Sequence, residues 1–209
     1  MIVQGSDEWK ALRLGKVTAS RVADVVAKTK TGWGASRKNY AAQLVAERLT
    51  GVVVEGFKSK EMQHGTDTEP QARAAYAFYA DADVAEVPFV PHPVIAMTGA
   101  SPDGMVGADG LVEIKCPNTA THIETLLGAS VSEDYEAQMQ WQMACTGRQW
   151  CDFVSFDPRM PENMRIYIQR IPRDEARIAF LEARVGEFLA EVAATVEALR
   201  SRYELKDAA

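Results

Sequence analysis

Cysteine is scarce in this 209-residue chain: Cys116, Cys145 and Cys151 form an odd set with no C-x-x-C pair. That argues against a disulfide framework or a cysteine zinc site and predicts reduced, buried, inert thiols. The histidines His64, His92 and His122 stand apart without metal-ligand spacing and are expected at the surface or in structural roles. Long apolar runs are missing too. None approaches the roughly 18 residues that span a bilayer, and the first fifteen residues turn charged before a signal-peptide core can form, so a cytoplasmic protein is expected. Excess positive charge is also absent. With 23 Lys or Arg against 29 Asp or Glu, the net charge of −6 excludes a uniformly basic nucleic-acid coat.

What is present is an ordinary globular composition, 47% apolar and 25% charged, long enough to bury a real core. The charge is segregated. Residues 10 to 60 hold eleven Lys or Arg and three Asp or Glu, whereas residues 61 to 209 hold twelve and twenty-four. A positive N-terminal quarter can attract a polyanion while the acidic remainder keeps nonspecific binding weak; solvated helix faces account for charge alone equally well.

Helices are predicted at about 6–14 after Ser6, 18–28 after Thr18, from Ser36 to Gly51, at 60–80, 133–146 and 173–203, with 29–36 a Gly-rich loop. Strands are predicted at Val84–Val90, Val94–Thr98, Gly104–Val106, Leu111–Cys116, Trp150–Phe156 and Arg165–Ile171, between Pro, Gly and Asp turn signals. In the last helix Leu181, Val185, Phe188, Val192, Val196 and Leu199 recur near the helical period. Without a repeat, linker or composition break, the expectation is one α/β domain over 1–209: a basic helical part at about 1–82, a sheet core at about 83–171 with a central mixed β-sheet flanked by helices, and a C-terminal helix.

The informative segment is Ser101-Pro-Asp-Gly104 followed by Glu113-Ile-Lys115. Along a strand, Glu113 and Lys115 share one face and Val112 and Ile114 the other, which is expected to point into the core. A turn at Gly107–Gly110 folds the preceding strand back and brings Asp103 to the charged face. Two carboxylates and an ammonium converge. Hard oxygen donors in this number suit Mg²⁺, which polarises a phosphodiester and acidifies a water without any Ser or Cys nucleophile; Lys115 can orient that water or offset charge on the phosphate. Pro-Asp-Gly alone is a common turn and Glu-x-Lys alone a common solvated pair; together they form the PD-(D/E)xK pattern of metal-dependent nucleases.

Further segments occur in one order: Arg13-Leu-Gly-x-Val-Thr-Ala-Ser20, Gly65 to Glu69, Thr98-Gly-Ala-Ser-Pro-Asp-Gly104, Glu113-Ile-Lys-Cys-Pro117, Ala137-Gln-Met-Gln140 and Phe156-Asp-Pro-Arg-Met160. From about residue 5 to 190 the series resembles the phage lambda exonuclease family, the YqaJ-like viral recombinases, with a PD-(D/E)xK, restriction-endonuclease-like core. The resemblance implies a Mg²⁺-dependent 5′-to-3′ exonuclease of phage or prophage origin, with two ions and Mn²⁺ as a substitute. Its substrate would be linear double-stranded DNA with a 5′-phosphate, and its 3′ tails would pass to a single-strand annealing protein. A ring-shaped homotrimer is implied too. By motif position, Asp103, Glu113 and the Ile114 carbonyl match metal ligands, Lys115 the catalytic lysine and Glu69 a supporting acid. Arg13, Ser20, Ser101 and Gln138 match the 5′-phosphate pocket; a guanidinium fork, hydroxyls and an amide are the donors a phosphate wants. Trp9, Lys30 and Met62 match DNA-contacting positions, with Met62 at the strand-separating wedge. The metal residues alone leave open an endonuclease on the same fold, and fold alone leaves open a non-catalytic DNA-end binder.

Overall fold

The computed structural model describes residues 2–30, 32–54 and 59–203. In chain order the elements are α1 (Asp7–Arg13), β1 (Val17–Thr18), α2 (Val22–Val26), β2 (Lys28–Thr29), β3 (Gly32–Trp33), α3 (Ala35–Thr50), α4 (Lys60–Tyr79), β4 (Val84–Ala85), β5 (Val90–Pro91), β6 (Thr98–Ala100), β7 (Gly104–Val106), β8 (Gly110–Lys115), α5 (Thr119–Leu126), α6 (Glu133–Thr146), β9 (Trp150–Phe156), β10 (Ile166–Pro172) and α7 (Glu175–Tyr203). Short 3-10 turns cover Ala19–Arg21 and Glu162–Met164. Among the described residues no helix is long and apolar enough to cross a membrane.

The central sheet has the strand order β10-β9-β8-β7-β4, parallel between β8 and β9 and antiparallel elsewhere. This is the mixed sheet flanked by helices that the pattern called for. A parallel neighbour needs a crossover, and α5 with α6 supplies it. Both faces of the sheet are covered. Val112, Ile114, Val154 and Phe156 pack with Ala72 and Tyr76 of α4, while Leu111, Cys151 and Phe153 pack with Met139 and Met143 of α6. Only the Val112 and Ile114 face was expected in the core; burial of the opposite face under α6 is what puts Glu113 in the interior. A third cluster joins Val22, Val25, Tyr40, Leu44 and Trp141 to the predicted stripe of α7, from Leu181 to Val196. Each such apolar side chain contributes about 1.5–3 kcal/mol when fully buried.

Local chemistry explains where the helices start and stop. Ser6, Ser59, Asn118 and Ser132 each accept a backbone N–H three residues on, capping α1, α4, α5 and α6. Gly51 and Gly147 end α3 and α6 at φ of 68° and 72°, where a side chain would be strained. The expected Ser36 cap is displaced: α3 opens at Gly34, whose N–H donates to the Ala27 carbonyl at 2.9 Å, and the predicted loop carries the β2–β3 pair instead.

Other differences have tertiary causes. The expected helix at 18–28 is cut short because Val17–Thr18 pairs in parallel with Thr98–Gly99, forming a second sheet of order β1-β6-β5. The strand expected at Val84–Val90 breaks into β4 and β5 around Pro88, which lacks the N–H a ladder needs, and the one expected at Val94–Thr98 is a bend and turn that reaches extended pairing only at Thr98, the start of β6. Helix α5, unforeseen, is held by His122, which is fully buried with Nδ1 2.8 Å from Ser155 Oγ and Nε2 2.8 Å from the Met164 carbonyl. His92 stacks on Trp141 and lies 3.2 Å from Glu182. The cysteines are free: Cys145 and Cys151 are buried, and burial pushes the half-buried Cys116 thiol up to about 12.

Candidate active site

The β7–β8 hairpin sets the geometry. Pairing of Gly104 with Val112 carries Asp103 back beside the following strand, where its Oδ2 accepts the Ile114 N–H at 2.7 Å. One residue earlier on β8, Glu113 points to the other face, under α6, and only 1% of it is exposed. Both its oxygens are occupied. Oε1 accepts from Gln138 Nε2 and Lys115 Nζ, each at 2.6 Å, and Oε2 accepts from Gln142 Nε2 at 2.6 Å. Gln138 and Gln142 sit four apart on α6, hence on one face above Glu113. Lys115 Nζ also lies 3.4 Å from Gln138 Oε1 and 4.7 Å from the centre of the Tyr135 ring. From α4, Glu69 reaches the same region while pairing with Arg73 at 2.6 Å.

Electrostatics confirm how crowded these acids are. Burial, then the charges of Glu113 and Glu69, push the Asp103 carboxyl well above its ordinary range, against the pull of Lys115 and the Ile114 N–H. Burial also raises Glu69. For Lys115 burial acts downward, yet Glu113 and Asp103 outweigh it and hold the ammonium above the usual lysine range.

A second group faces the acids. Arg13 lies 3.9 Å over the Trp9 ring and donates to Ser101 Oγ at 3.4 Å, and Trp9 Nε1 donates to the same oxygen at 3.0 Å. Burial lowers the Arg13 guanidinium to about 10. It makes no ion pair with a carboxylate among the described residues, so a desolvated cation awaits an anion. Ser20 Oγ is 3.3 Å from Thr18 Oγ1.

One cleft of about 510 Å³ collects Trp9, Arg13, Ser20, Met62, Glu69, Ser101, Asp103, Glu113, Ile114, Lys115 and Gln138. Two placements add what the motif positions left open. Gln138 shares the cleft with Arg13, Ser20 and Ser101 and is tied to Glu113 and Lys115. Lys30 is exposed and does not line this cleft. Met62, 58% exposed in the first turn of α4, stands at the rim. Among the further lining residues, three have a visible part in the geometry. Cys116 follows the strand, Tyr135 lies under Lys115, and Gln4 donates to the Val87 and Pro102 carbonyls at 2.9 and 2.8 Å, pinning the turn before Asp103. Gln142 was missed although its spacing from Gln138 was readable. Gln140, between them, turns away: it donates to the Pro172 carbonyl and accepts the Asp174 N–H, each at 2.9 Å.

The donor set fits a hard cation. No cage of three His, Cys, Asp or Glu side chains occurs among the described residues, and Asp103 with Glu113 offers the one or two carboxylates Mg²⁺ takes when substrate phosphate and water complete its shell. Their mutual repulsion is what a divalent ion would relieve.

A mixed sheet whose hairpin joins a turn aspartate to Glu-x-Lys defines a nuclease of the PD-(D/E)xK fold. The profile of the YqaJ-like viral recombinase domain matches residues 8–149, and the chain belongs to that family. It is similar to LHK-Exo, an alkaline exonuclease from Laribacter hongkongensis: two crystal structures, one in complex with dAMP, align with a TM-score of 0.89 and 53% identity over 94% of this chain and 97% of that one. The crystal structure of a phage-related exonuclease from Haemophilus somnus 129PT shares the fold, with a TM-score of 0.68 and 16% identity over 88% of this chain and 96% of that one. No curated protein matches.

Proposed function

We propose that this chain is a Mg²⁺-dependent 5′-to-3′ exonuclease that degrades one strand of linear double-stranded DNA and leaves 3′ single-stranded tails. The observation that carries the reading is the shared cleft: Asp103, Glu113 and Lys115 on one side, and Arg13, Ser20 and Ser101 on the other. Exonuclease relatives support it, and dAMP, bound in one LHK-Exo structure, is a mononucleotide of the kind this reaction releases.

Asp103, Glu113 and the Ile114 carbonyl would hold the cation, with Glu69 behind them. Bound there, a divalent ion supplies Lewis-acid polarisation of the scissile phosphate and makes the attacking water more acidic. The chain's residues do the rest. Arg13, Ser20 and Ser101 hold the terminal 5′-phosphate and thereby set the next phosphodiester at the acids, so that chemistry is directed to an end. Water attacks phosphorus, the bond to the 3′ oxygen breaks, that oxygen takes a proton, and the shortened strand keeps a new 5′-phosphate. Lys115, charged, donates to the water or to the phosphate as negative charge grows. Gln138 and Gln142 orient Glu113, and Met62 at the rim is placed to part the terminal base pair.

The test is a digestion series with Mg²⁺. Linear duplex with a 5′-phosphate should be degraded faster than the 5′-hydroxyl form, and closed circular duplex left intact; cutting of the circle would establish an endonuclease instead. End binding without turnover would establish a non-catalytic binder. The same reading extends to a ring-shaped homotrimer acting in the host cytoplasm with a single-strand annealing protein, and to Mn²⁺ as a replacement ion. Light scattering at the monomer mass would remove the ring.

A further inference from the structure

Arg13, Ser20 and Trp9 have two sides. One faces the carboxylates. The other lines a separate, half-enclosed cavity of about 250 Å³ between α1, the 3-10 turn Ala19–Arg21 and α3, which none of Glu69, Asp103, Glu113 or Lys115 touches. With Arg13 and Ser20 holding the terminal phosphate as proposed above, this chamber adjoins that phosphate, because the same two residues line it. A group attached to that phosphate would find this chamber beside it.

Its chemistry is that of an anion site. Lys16, Arg21, Thr18 and Gln43 line it together with Arg13. Arg21 spends Nε on Asp24 and Nη1 on Gln43 at 3.3 Å, and lies 4.3 Å over the Tyr40 ring, which leaves Nη2 for a ligand. Lys16 Nζ uses one of its donors on the Leu12 carbonyl at 2.6 Å. Among the described lining residues Glu47 is the one acid, and it is 4% exposed with its oxygens accepting from Gly15, Gln43 and Val54. A volume below the roughly 300–1,000 Å³ of ordinary ligand pockets leaves room for phosphoryl groups rather than for a whole nucleotide.

We propose that this second chamber binds a phosphoryl group joined to the terminal 5′-phosphate, so that the protein accepts DNA ends carrying a 5′-polyphosphate. The inference takes its orientation from the exonuclease reading above. Hydrolysis at such an end consumes one water, breaks the same bond to the 3′ oxygen, and releases a nucleoside 5′-triphosphate first, then nucleoside monophosphates.

Two measurements test it. In metal-free buffer, pyrophosphate should bind the whole chain about tenfold more tightly than inorganic phosphate, and Arg21→Ala or Lys16→Met should each bring the two affinities within about threefold, the loss expected for one charge-assisted contact. Equal affinities in the unmodified protein overturn the proposal. With Mg²⁺, a 5′-triphosphate duplex should release nucleoside triphosphate as its first product, and either substitution should lower the rate ratio of triphosphate to monophosphate ends about tenfold. Rejection of the triphosphate end overturns the proposal while leaving the exonuclease reading intact. Failure on the monophosphate end as well overturns the exonuclease reading, with the metal-free titration still deciding the chamber. A one-nucleotide 5′ overhang accepted with the same Arg21 dependence overturns the polyphosphate assignment in favour of a nucleotide.

Discussion

Lys115 Nζ stands 2.6 Å from Glu113 Oε1, two residues apart on one strand and on one face of the sheet. The pair is nearly closed to solvent on the glutamate side and open to the cleft on the lysine side. It is an internal counter-ion arrangement: Lys115 neutralises a buried carboxylate and remains within reach of whatever enters.

Removing either member should end turnover. Lys115→Ala and Glu113→Ala are each expected to cost about 10²–10⁴-fold in the rate on 5′-phosphorylated duplex, the usual worth of a positioned proton-transfer or electrostatic group. Circular dichroism of the purified variants separates this from misfolding, because Lys115→Ala leaves Gln138 and Gln142 on the glutamate. Intact activity in either variant would remove these residues from the chemistry.

Gln142→Leu should act on stability as much as on rate. The substitution keeps the volume of a fully buried side chain but strips Glu113 Oε2 of its donor, which costs about 1.5–3 kcal/mol for a bond to a charged group. Urea unfolding measures the loss. It should be smaller in a Glu113→Gln background, where no charge is left unsatisfied, and an equal loss in both backgrounds would show that the amide does not serve the glutamate.

Burial and the neighbouring acids raise Asp103, and burial raises Glu69, so in the folded metal-free protein their neutral forms are favoured. A raised carboxyl contributes stability below its unfolded value of about 4 and loses it as pH climbs through the folded one. The melting temperature of metal-free protein should therefore fall as pH rises above about 4 through these groups' range. Saturating Mg²⁺ should flatten that fall, adding about 2.7 kcal/mol at a hundredfold excess over Kd. A metal-independent profile would count against ion binding at Asp103.

Arg13→Gln should abolish the preference for a phosphorylated end rather than the chemistry. The rate ratio between 5′-phosphate and 5′-hydroxyl duplex is expected to drop toward one, from a starting value of about tenfold or more for a charged contact. An unchanged ratio would place the end phosphate elsewhere.

Asp157 is held down to about 2 by hydrogen bonds from Arg159 and Thr119, which outweigh its burial. A depressed carboxylate contributes stability above its unfolded pKa of about 4 and loses it as pH falls toward the folded value. Acid unfolding of Asp157→Asn should lack that component between pH 4 and 2, as followed by fluorescence of the tryptophans.

The residues that carry the chemistry were legible because their pattern is short-range. The hairpin return from Asp103 to Glu113 follows from turn residues and strand alternation, and the stripe from Leu181 to Leu199 follows from helical period; both depend on neighbours in the chain. Charge told less by itself. The count of −6 concealed Arg13, Lys16 and Arg21 gathered along two adjoining clefts, a grouping that arises where α1, the 3-10 turn Ala19–Arg21 and α3 meet. Tertiary packing decided the rest. The sequence by itself determined a mixed α/β fold and an Asp, Glu, Lys site. Only the folded chain decided that Gln138 and Gln142 serve Glu113, that Lys30 stays outside, and that α6 closes over the acid face, because beyond Lys115 on its own strand the hydrogen-bond partners of this buried carboxylate come from the helix that covers it.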